Sequence, residues 1–250
     1  MDEPSTRRIL RQHVMTDYLL GVDAVPCPTG PRTGRSEISS EPTTASSNKM
    51  DRAIRMQILE QMDIEDVRPC TECQLCQSRT QTVFGEGDPD AQLMFIGEGP
   101  GESEDTQGRP FVGRAGELLN KQITAMGLRR EQVYIANVVK CRPPKNRAPT
   151  PAEVGACSTY LRRQIQVIQP EVIVTLGAPA TKLVLDTNQG ITRLRGQWSI
   201  VDRLGPDGPH FDPIPVMPTF HPAFLLRSYT PENRGRVWSD LKQVMGRLNL

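Results

Sequence analysis

Three polar side chains stand where short apolar runs give out. Glu98 follows Leu93–Ile96 and Gly97, Asn137 follows Val133–Ala136, and His221 comes shortly after Ile214–Met217. A carboxylate can orient water, an amide presents a donor and an acceptor side by side, and an imidazole N–H can stabilise charge on a leaving group. Pro222 biases the backbone of His221 to an extended conformation, which holds its side chain at the mouth of the preceding strand. On residue type alone, however, a lone histidine is more often a satisfied structural group, and Asn137 reads equally as a strand-ending turn residue. The segment GEGPGESEDTQGRPFVGRAG, Gly97 to Gly116, concentrates the chemistry. Gly97, Gly99 and Gly101 let the backbone approach a ligand where a Cβ would intrude. The segment is not a phosphate cradle: position 102 is Glu, so the dinucleotide spacing fails, and no Gly-Lys-Ser/Thr follows. Glu98, Glu102, Glu104 and Asp105 would also repel phosphate. Such a loop at the carboxyl end of a strand suits positioning water or recognising a neutral polar ring.

The elements that must hold these residues are legible from pattern. Leu93–Ile96, Val133–Ala136, Val172–Leu176 and Ile214–Met217 read as strands, with helical stretches between the first three. A helix is predicted from Pro151, with Thr150 as N-cap, proline at the first position and Glu153 completing a capping box. Leu161, Ile165 and Ile168 supply its buried stripe. Another helix starts after Thr230 and runs toward Leu248, with Val237, Leu241 and Met245 inward, and Ala53–Met62 reads as a third. The alternation predicts an α/β fold with a mostly parallel, four-stranded central sheet flanked by helices, so that the loops after the strands converge on one edge. Residues 1–49 read as a largely disordered extension: Thr6–Leu20 could make a short amphipathic helix, and Pro26–Asn48 is rich in Pro, Gly, Ser and Thr. The domain is expected over 50–250.

The net charge of +1 conceals an asymmetry. Between Met62 and Gln107 there are eleven acidic residues against two basic ones; between Gly127 and Ile165, eight basic against two acidic. A solvated helix surface accounts for Arg129, Arg130, Arg162 and Arg163 as well as any ligand does. Lys140, Arg142, Lys145 and Arg147 lie in a Pro-rich loop that needs no charge to fold, and a phosphate backbone would use them. No segment is apolar enough to span a membrane, and Arg11, His13 and Asp17 interrupt any signal-peptide core, so a cytoplasmic protein is expected. In a reducing compartment six cysteines are ligands or free thiols. Cys70, Cys73 and Cys76 lie in CTECQLC, Cys141 ends NVVKC, Cys157 falls within the capped helix, and Cys27 stands alone. A Cys-x2-Cys pair with two distant cysteines makes a four-thiolate site open to zinc or to a 4Fe–4S cluster, and spacing does not choose between them.

GEGPGESED, QGRPFVGRAG, NVVKCRPPKNR and HPAFLLR, in that order, resemble the family 4 uracil-DNA glycosylases, the iron–sulfur branch of the uracil-DNA glycosylase superfamily. The resemblance runs from about Cys70 to the C-terminus. It implies a three-layer α/β/α fold, hydrolysis of the bond between uracil and deoxyribose in single- or double-stranded DNA, and a 4Fe–4S cluster on Cys70, Cys73, Cys141 and Cys157, with Cys76 surplus. It implies that His221 stabilises the departing uracil, Asn137 reads its edge, Phe111 stacks on its ring, and Glu104 crowds the thymine methyl. Glu98, helped by Gly97 and Gly99, would orient water, with Asp105 the alternative. Lys145, Arg147, Arg193, Arg195 and Arg227 are expected at DNA phosphates, and Leu225 in an apolar wedge with Phe224 and Leu226. The protein is expected to be a monomer, with residues 1–49 available to a replication or repair partner. A non-catalytic iron–sulfur DNA-binding module would keep the cysteines and the basic loop but need neither Glu98 nor His221. A superfamily branch that bonds covalently to uracil-DNA carries an Arg-rich insertion, absent here because VGRAGELLNKQ runs straight into a helix.

Overall fold

The computed structural model describes residues 50–204 and 210–250. The expected extension, its short helix and Cys27 lie outside the described residues. Strands β1 (Glu86–Gly87), β2 (Leu93–Gly97), β3 (Tyr134–Asn137), β4 (Val172–Leu176), β5 (Ser199–Val201) and β6 (Ile214–Thr219) form one sheet in the order β1-β3-β2-β4-β6-β5. The middle four are parallel and correspond to the four strands predicted. The sheet is nevertheless six-stranded, because β1 and β5 add antiparallel edges. Neither edge carries a sequence signal: β1 is two residues long, and β5 keeps an exposed Ile200. Pairing to a neighbour, rather than apolar patterning, makes them strands.

Among the described residues the helices are α1 (Arg52–Gln61), α2 (Glu102–Gln107), α3 (Arg114–Ala125), α4 (Pro151–Ile168), α5 (Ala178–Val184), α6 (Ile191–Leu194), α7 (Pro222–Arg227) and α8 (Pro231–Leu248). All five residues of β2 and of β4 are buried, as expected for parallel strands covered on both faces. The two-residue period of β2 divides the core: Met94 and Ile96 pack with Leu161 and Ile165 of α4, while Leu93 and Phe95 pack with Leu119 and Ile123 of α3 and Leu241 of α8. No helix of the described residues is long and apolar enough to cross a membrane.

The predicted helix ends are present. Thr150 Oγ1 accepts from Glu153 N at 3.3 Å and Glu153 Oε2 accepts from Thr150 N at 2.7 Å, the reciprocal pair of a capping box. The acidic ESEDTQ, read as part of a loop, is the helix α2, and PAFLLR, expected as a wedge and given no helix by the sequence, is α7, opened by Pro222 with His221 as N-cap. Each has only six residues, too few for a periodic pattern.

Arg55 of α1 is fully buried and closes the far end of α4. Its Nη1 donates to Ile168 O at 2.7 Å and to Pro89 O at 3.2 Å, and forms an ion pair with Asp90 at 3.2 Å. A cation there satisfies a terminal carbonyl and complements the negative end of the helix. Arg55→Met keeps the stem and removes the donors, so it is expected to cost about 2–3 kcal/mol, the scale of a charged hydrogen bond left unmade in the interior. The midpoint of denaturant unfolding measures this, and an unchanged midpoint would show that Arg55 does not hold the helix end.

Candidate active site

The loops after β2, β3, β4 and β6 border a cleft of about 790 Å³ at the carboxyl edge of the sheet. This is the edge at which open α/β sheets bind ligands. Glu98, Gly99, Glu104, Phe111, Asn137, Arg147, His221 and Arg227 line it, so these residues, scattered in sequence, meet in one concavity.

Register explains the meeting. Gly97 and Asn137 are opposite partners at the ends of β2 and β3. A Cβ on Gly97 would lie 2.4 Å from Asn137 Oδ1 and 2.5 Å from Phe111 Cζ, so only glycine lets the amide and the ring draw together. A Cβ on Gly99 would lie 2.7 Å from a Val139 methyl. Asn137 is 2% exposed, and its Oδ1 has no hydrogen-bond partner. A buried acceptor left unpaired costs about 1–3 kcal/mol and is expected to find its donor in a ligand.

Phe111 is buried, and its ring centroid lies 5.6 Å from that of His221 at an interplanar angle of 31°. Its φ of 51° puts a bulky residue in the left-handed region, at a cost of about 1–2 kcal/mol. Neighbours hold it there. Glu104 Oε1 accepts from Val112 N and Gly113 N, both at 2.9 Å, and Oε2 accepts from Gly101 N at 3.1 Å. The Glu104 carboxylate therefore ties the start of α2 to the Phe111 loop. Asp105 departs from expectation: it is 3% exposed, both its oxygens accept from Thr80 N at 3.0 Å, and it is not among the residues lining the cleft. The helical turn of α2 carries it toward the protein interior, away from any water in the site.

His221 ends the approach from β6. Its Nδ1 accepts from Ala223 N at 3.0 Å, so the proton of the neutral ring sits on Nε2. Burial, reinforced by the positive charge of Arg227 and opposed by Glu104, pushes the imidazole pKa down to about 4. The ring is therefore a neutral N–H donor near pH 7. A turn at Gly177, with φ of 87°, packs against it, and a Cβ there would lie 3.0 Å from His221 Cβ. Glu98 makes no hydrogen bond or ion pair with side chains among the described residues, and burial raises its pKa above the usual carboxylate value. An unengaged carboxylate and a neutral imidazole donor thus share the cleft.

The basic residues divide. Arg147 borders the cleft but is paired to Glu153 by two hydrogen bonds of 2.8 and 2.6 Å; Arg227 borders it, exposed. Lys145 and Arg193 are exposed beside cleft-lining neighbours without lining it themselves. Arg195 does not face a ligand: it binds both oxygens of Asp240 and donates to Arg236 O at 2.6 Å, packed over Phe220. Asp240 in turn accepts from Thr219 Oγ1, two residues before His221. Leu225 is 1% exposed and belongs to the core, so the expected wedge loses it, while Phe224 borders the cleft. Lys140 is also no phosphate ligand. It is 1% exposed, and its Nζ donates to Asn137 O at 2.9 Å and Gln164 Oε1 at 2.6 Å. Arg114, which the sequence reading passed over, lines the cleft from the start of α3.

Below the basic loop a second cavity is lined by Cys70, Cys73, Cys76, Cys141 and Cys157. Donors face the sulfurs: Arg79 Nη1 lies 3.2 Å from Cys141 Sγ, and Lys140 N lies 3.2 Å from Cys157 Sγ. Arg79 also holds Cys70 O at 2.8 Å and Arg68 O at 3.0 Å. Even so, among the described residues no three His, Cys, Asp or Glu side chains converge closely enough to hold a single metal ion. Cys76 borders the same space as the four expected ligands.

Comparison with known proteins agrees with this geometry. The family model of the uracil DNA glycosylase superfamily matches residues 84–242. A type-4 uracil-DNA glycosylase of Thermotoga maritima is 49% identical over 181 residues, covering 72% of this chain and 90% of that protein. Those of Sulfurisphaera tokodaii and Archaeoglobus fulgidus are 46% and 41% identical, each over 72% of this chain and over 80% and 89% of their own lengths. A type-5 uracil-DNA glycosylase of Pyrobaculum aerophilum is 31% identical over 56% of the chain. With its strand-end cleft and its sequence in agreement, the chain belongs to the uracil-DNA glycosylase superfamily and, within it, to the type-4 uracil-DNA glycosylases.

Proposed function

We propose that this protein hydrolyses the N-glycosidic bond of uracil in DNA, leaving an abasic site from which base excision repair proceeds. The observation that carries the reading is the buried, unpaired Asn137 Oδ1 beside the Phe111 ring and the Nε2 proton of a neutral His221. A uracil turned out of the helix offers N3–H and O4 to the Asn137 amide, whereas cytosine offers the reverse pattern and would leave buried groups unpaired. Phe111 supplies a stacking face. As the bond breaks, negative charge gathers on the base and positive charge on the sugar. His221 Nε2–H then donates to the uracil O2, while Glu98 orients water toward the sugar carbon. The water oxygen bonds to that carbon, the bonding pair leaves with uracil, and the released proton neutralises the products. A donor acting only on developing charge is worth about 2.7–4 kcal/mol of barrier.

Cys70, Cys73, Cys141 and Cys157 are the proposed holders of a 4Fe–4S cluster. Support comes from the four thiols that border one cavity, with the Arg79 guanidinium donating to Cys141 Sγ and the Lys140 amide to Cys157 Sγ, as thiolates holding a cluster would require. When bound, the cluster cross-links the segment around Cys70 to the loop of Cys141 and to α4, an architectural role. Cys141→Ser and Cys157→Ser are expected to lose the iron, measured by metal analysis and the visible spectrum, whereas Cys76→Ser keeps it. Full iron in the first two variants would overturn the assignment.

His221→Ala should lower the single-turnover excision rate about a hundredfold or more while affinity for uracil-DNA stays near that of the unaltered protein. A variant excising uracil at the normal rate would move the donor role elsewhere. The pH profile has a defined sign. Glu98 acts ionised, so the rate rises with pH through its raised pKa, and Glu98→Gln removes that limb. His221, neutral above about 4, adds no inflection where a free histidine titrates, near 6.5. A rate that falls as pH rises through 6 to 7 would mean that protonated His221 is the active form. Arg227→Ala should make the salt dependence of DNA binding shallower by about one unit of slope without changing which base is excised. An unchanged slope would remove Arg227 from the phosphate contacts.

A further inference from the structure

We propose that Arg130 is a positioning residue for base capture, fixing the backbone of Phe111 so that its ring stands ready as the stacking face. Arg130 is mostly buried, with its side chain 14% exposed. One guanidinium reaches both peptide planes that flank the Phe111 Cα: Nη2 donates to Pro110 O, and Nη1 donates to Phe111 O at 3.3 Å. The orientation of the first plane defines φ of Phe111 and that of the second defines ψ, so a rigid planar fork bonded to both restrains the pair of angles. The guanidinium is itself anchored. Its Nε donates to Glu86 Oε1 at 2.6 Å and its Nη1 to Asn120 Oδ1 at 2.6 Å. Glu86 is held in turn by Arg109, through Nε at 2.7 Å and Nη2 at 3.2 Å.

The restraint has something to oppose. Phe111 sits at φ 51°, a conformation that a bulky side chain leaves readily if released. On the far side of the same loop Glu104 accepts from Val112 N and Gly113 N, and a Cβ on Gly116 would lie 1.8 Å from Phe111 O. Glu104 therefore takes the amides that follow Phe111, and Arg130 takes the carbonyls on either side of it. The left-handed residue is clamped from both directions, and its ring is left between Gly97 and His221. Arg130 reaches no residue lining the cleft by itself except through this clamp.

The inference rests on reading Phe111 as the uracil-stacking residue, and the experiment separates the two. Single-turnover excision from a uracil-containing oligonucleotide is followed at varied enzyme concentration, giving a maximum rate and a half-saturating concentration. Arg130→Met, which keeps the stem and loses the fork, should raise the half-saturating concentration about fivefold to tenfold, the lower part of what one base–aromatic stack is worth. Arg130→Lys should recover little, because a single ammonium cannot bond both carbonyls. The decisive comparison is a double-mutant cycle: in a Phe111→Ala background Arg130→Met should change the half-saturating concentration less than twofold, because the ring it positions is gone. Additive effects would overturn the proposal, since a general loss of structure adds and a positioning role does not. Should Arg130→Met fail to fold, Asn120→Ala removes one anchor of the fork and is expected to raise the half-saturating concentration about threefold, again only when Phe111 is present. No change with Asn120→Ala would also overturn it. If the unaltered protein released no uracil, the functional reading itself would fall, whatever Arg130 does.

Discussion

Contact across the ends of two parallel strands is the constraint on which this site depends. Gly97 and Asn137 face each other in register, and the missing Cβ of Gly97 is the space into which the Asn137 amide and the Phe111 ring close. Any side chain at 97 would collide with both. The polar amide is thereby sunk into the sheet's edge with its oxygen unpaired, a state the fold sustains because β2 and β3 are locked by burial on both faces. A ligand with a suitably placed donor recovers the cost of that unpaired acceptor, so the packing of the sheet is what leaves this end of the cleft open to a donor.

The electrostatics follow from the same burial. Half-sunk in the cleft, Glu98 is held above the usual carboxylate pKa, and His221 is held down to about 4. Desolvation, the leading cause of both shifts, penalises the charged form of each group. For the histidine the result is a neutral donor whose tautomer is fixed by the Ala223 amide. Arg195, Asp240 and Thr219 stabilise the strand end that delivers it, which accounts for the arginine at 195 without any appeal to DNA.

Lys140 connects the two polar regions of the molecule. Its backbone N–H donates to Cys157 Sγ, while its ammonium donates to Asn137 O and to Gln164 of α4. The loop that carries Cys141 and the strand that carries Asn137 are therefore one continuous piece of hydrogen-bonded chain, and the cysteine cavity lies within a few residues of the cleft end of β3.

The sequence by itself determined much of this. Apolar runs marked the four parallel strands, the Thr150, Pro151 and Glu153 signature marked the start of α4, and strand ends marked Glu98, Asn137 and His221. These are local properties of period, cap and punctuation, and they survive without knowledge of the fold. Tertiary structure decided the rest. Asp105 and Glu98 belong to one acidic stretch, yet only one faces the cleft, because Thr80, distant in sequence, takes the Asp105 carboxylate. Arg195 became structural through Asp240, Lys140 through Gln164, and Arg130, which sequence left open between a solvated surface and a ligand contact, through two carbonyls beside Phe111. Leu225 passed from wedge to core when α7 packed against α3. A charged or apolar side chain announces its type in sequence, but whether it meets solvent, DNA or a buried partner depends on which distant segment folds over it.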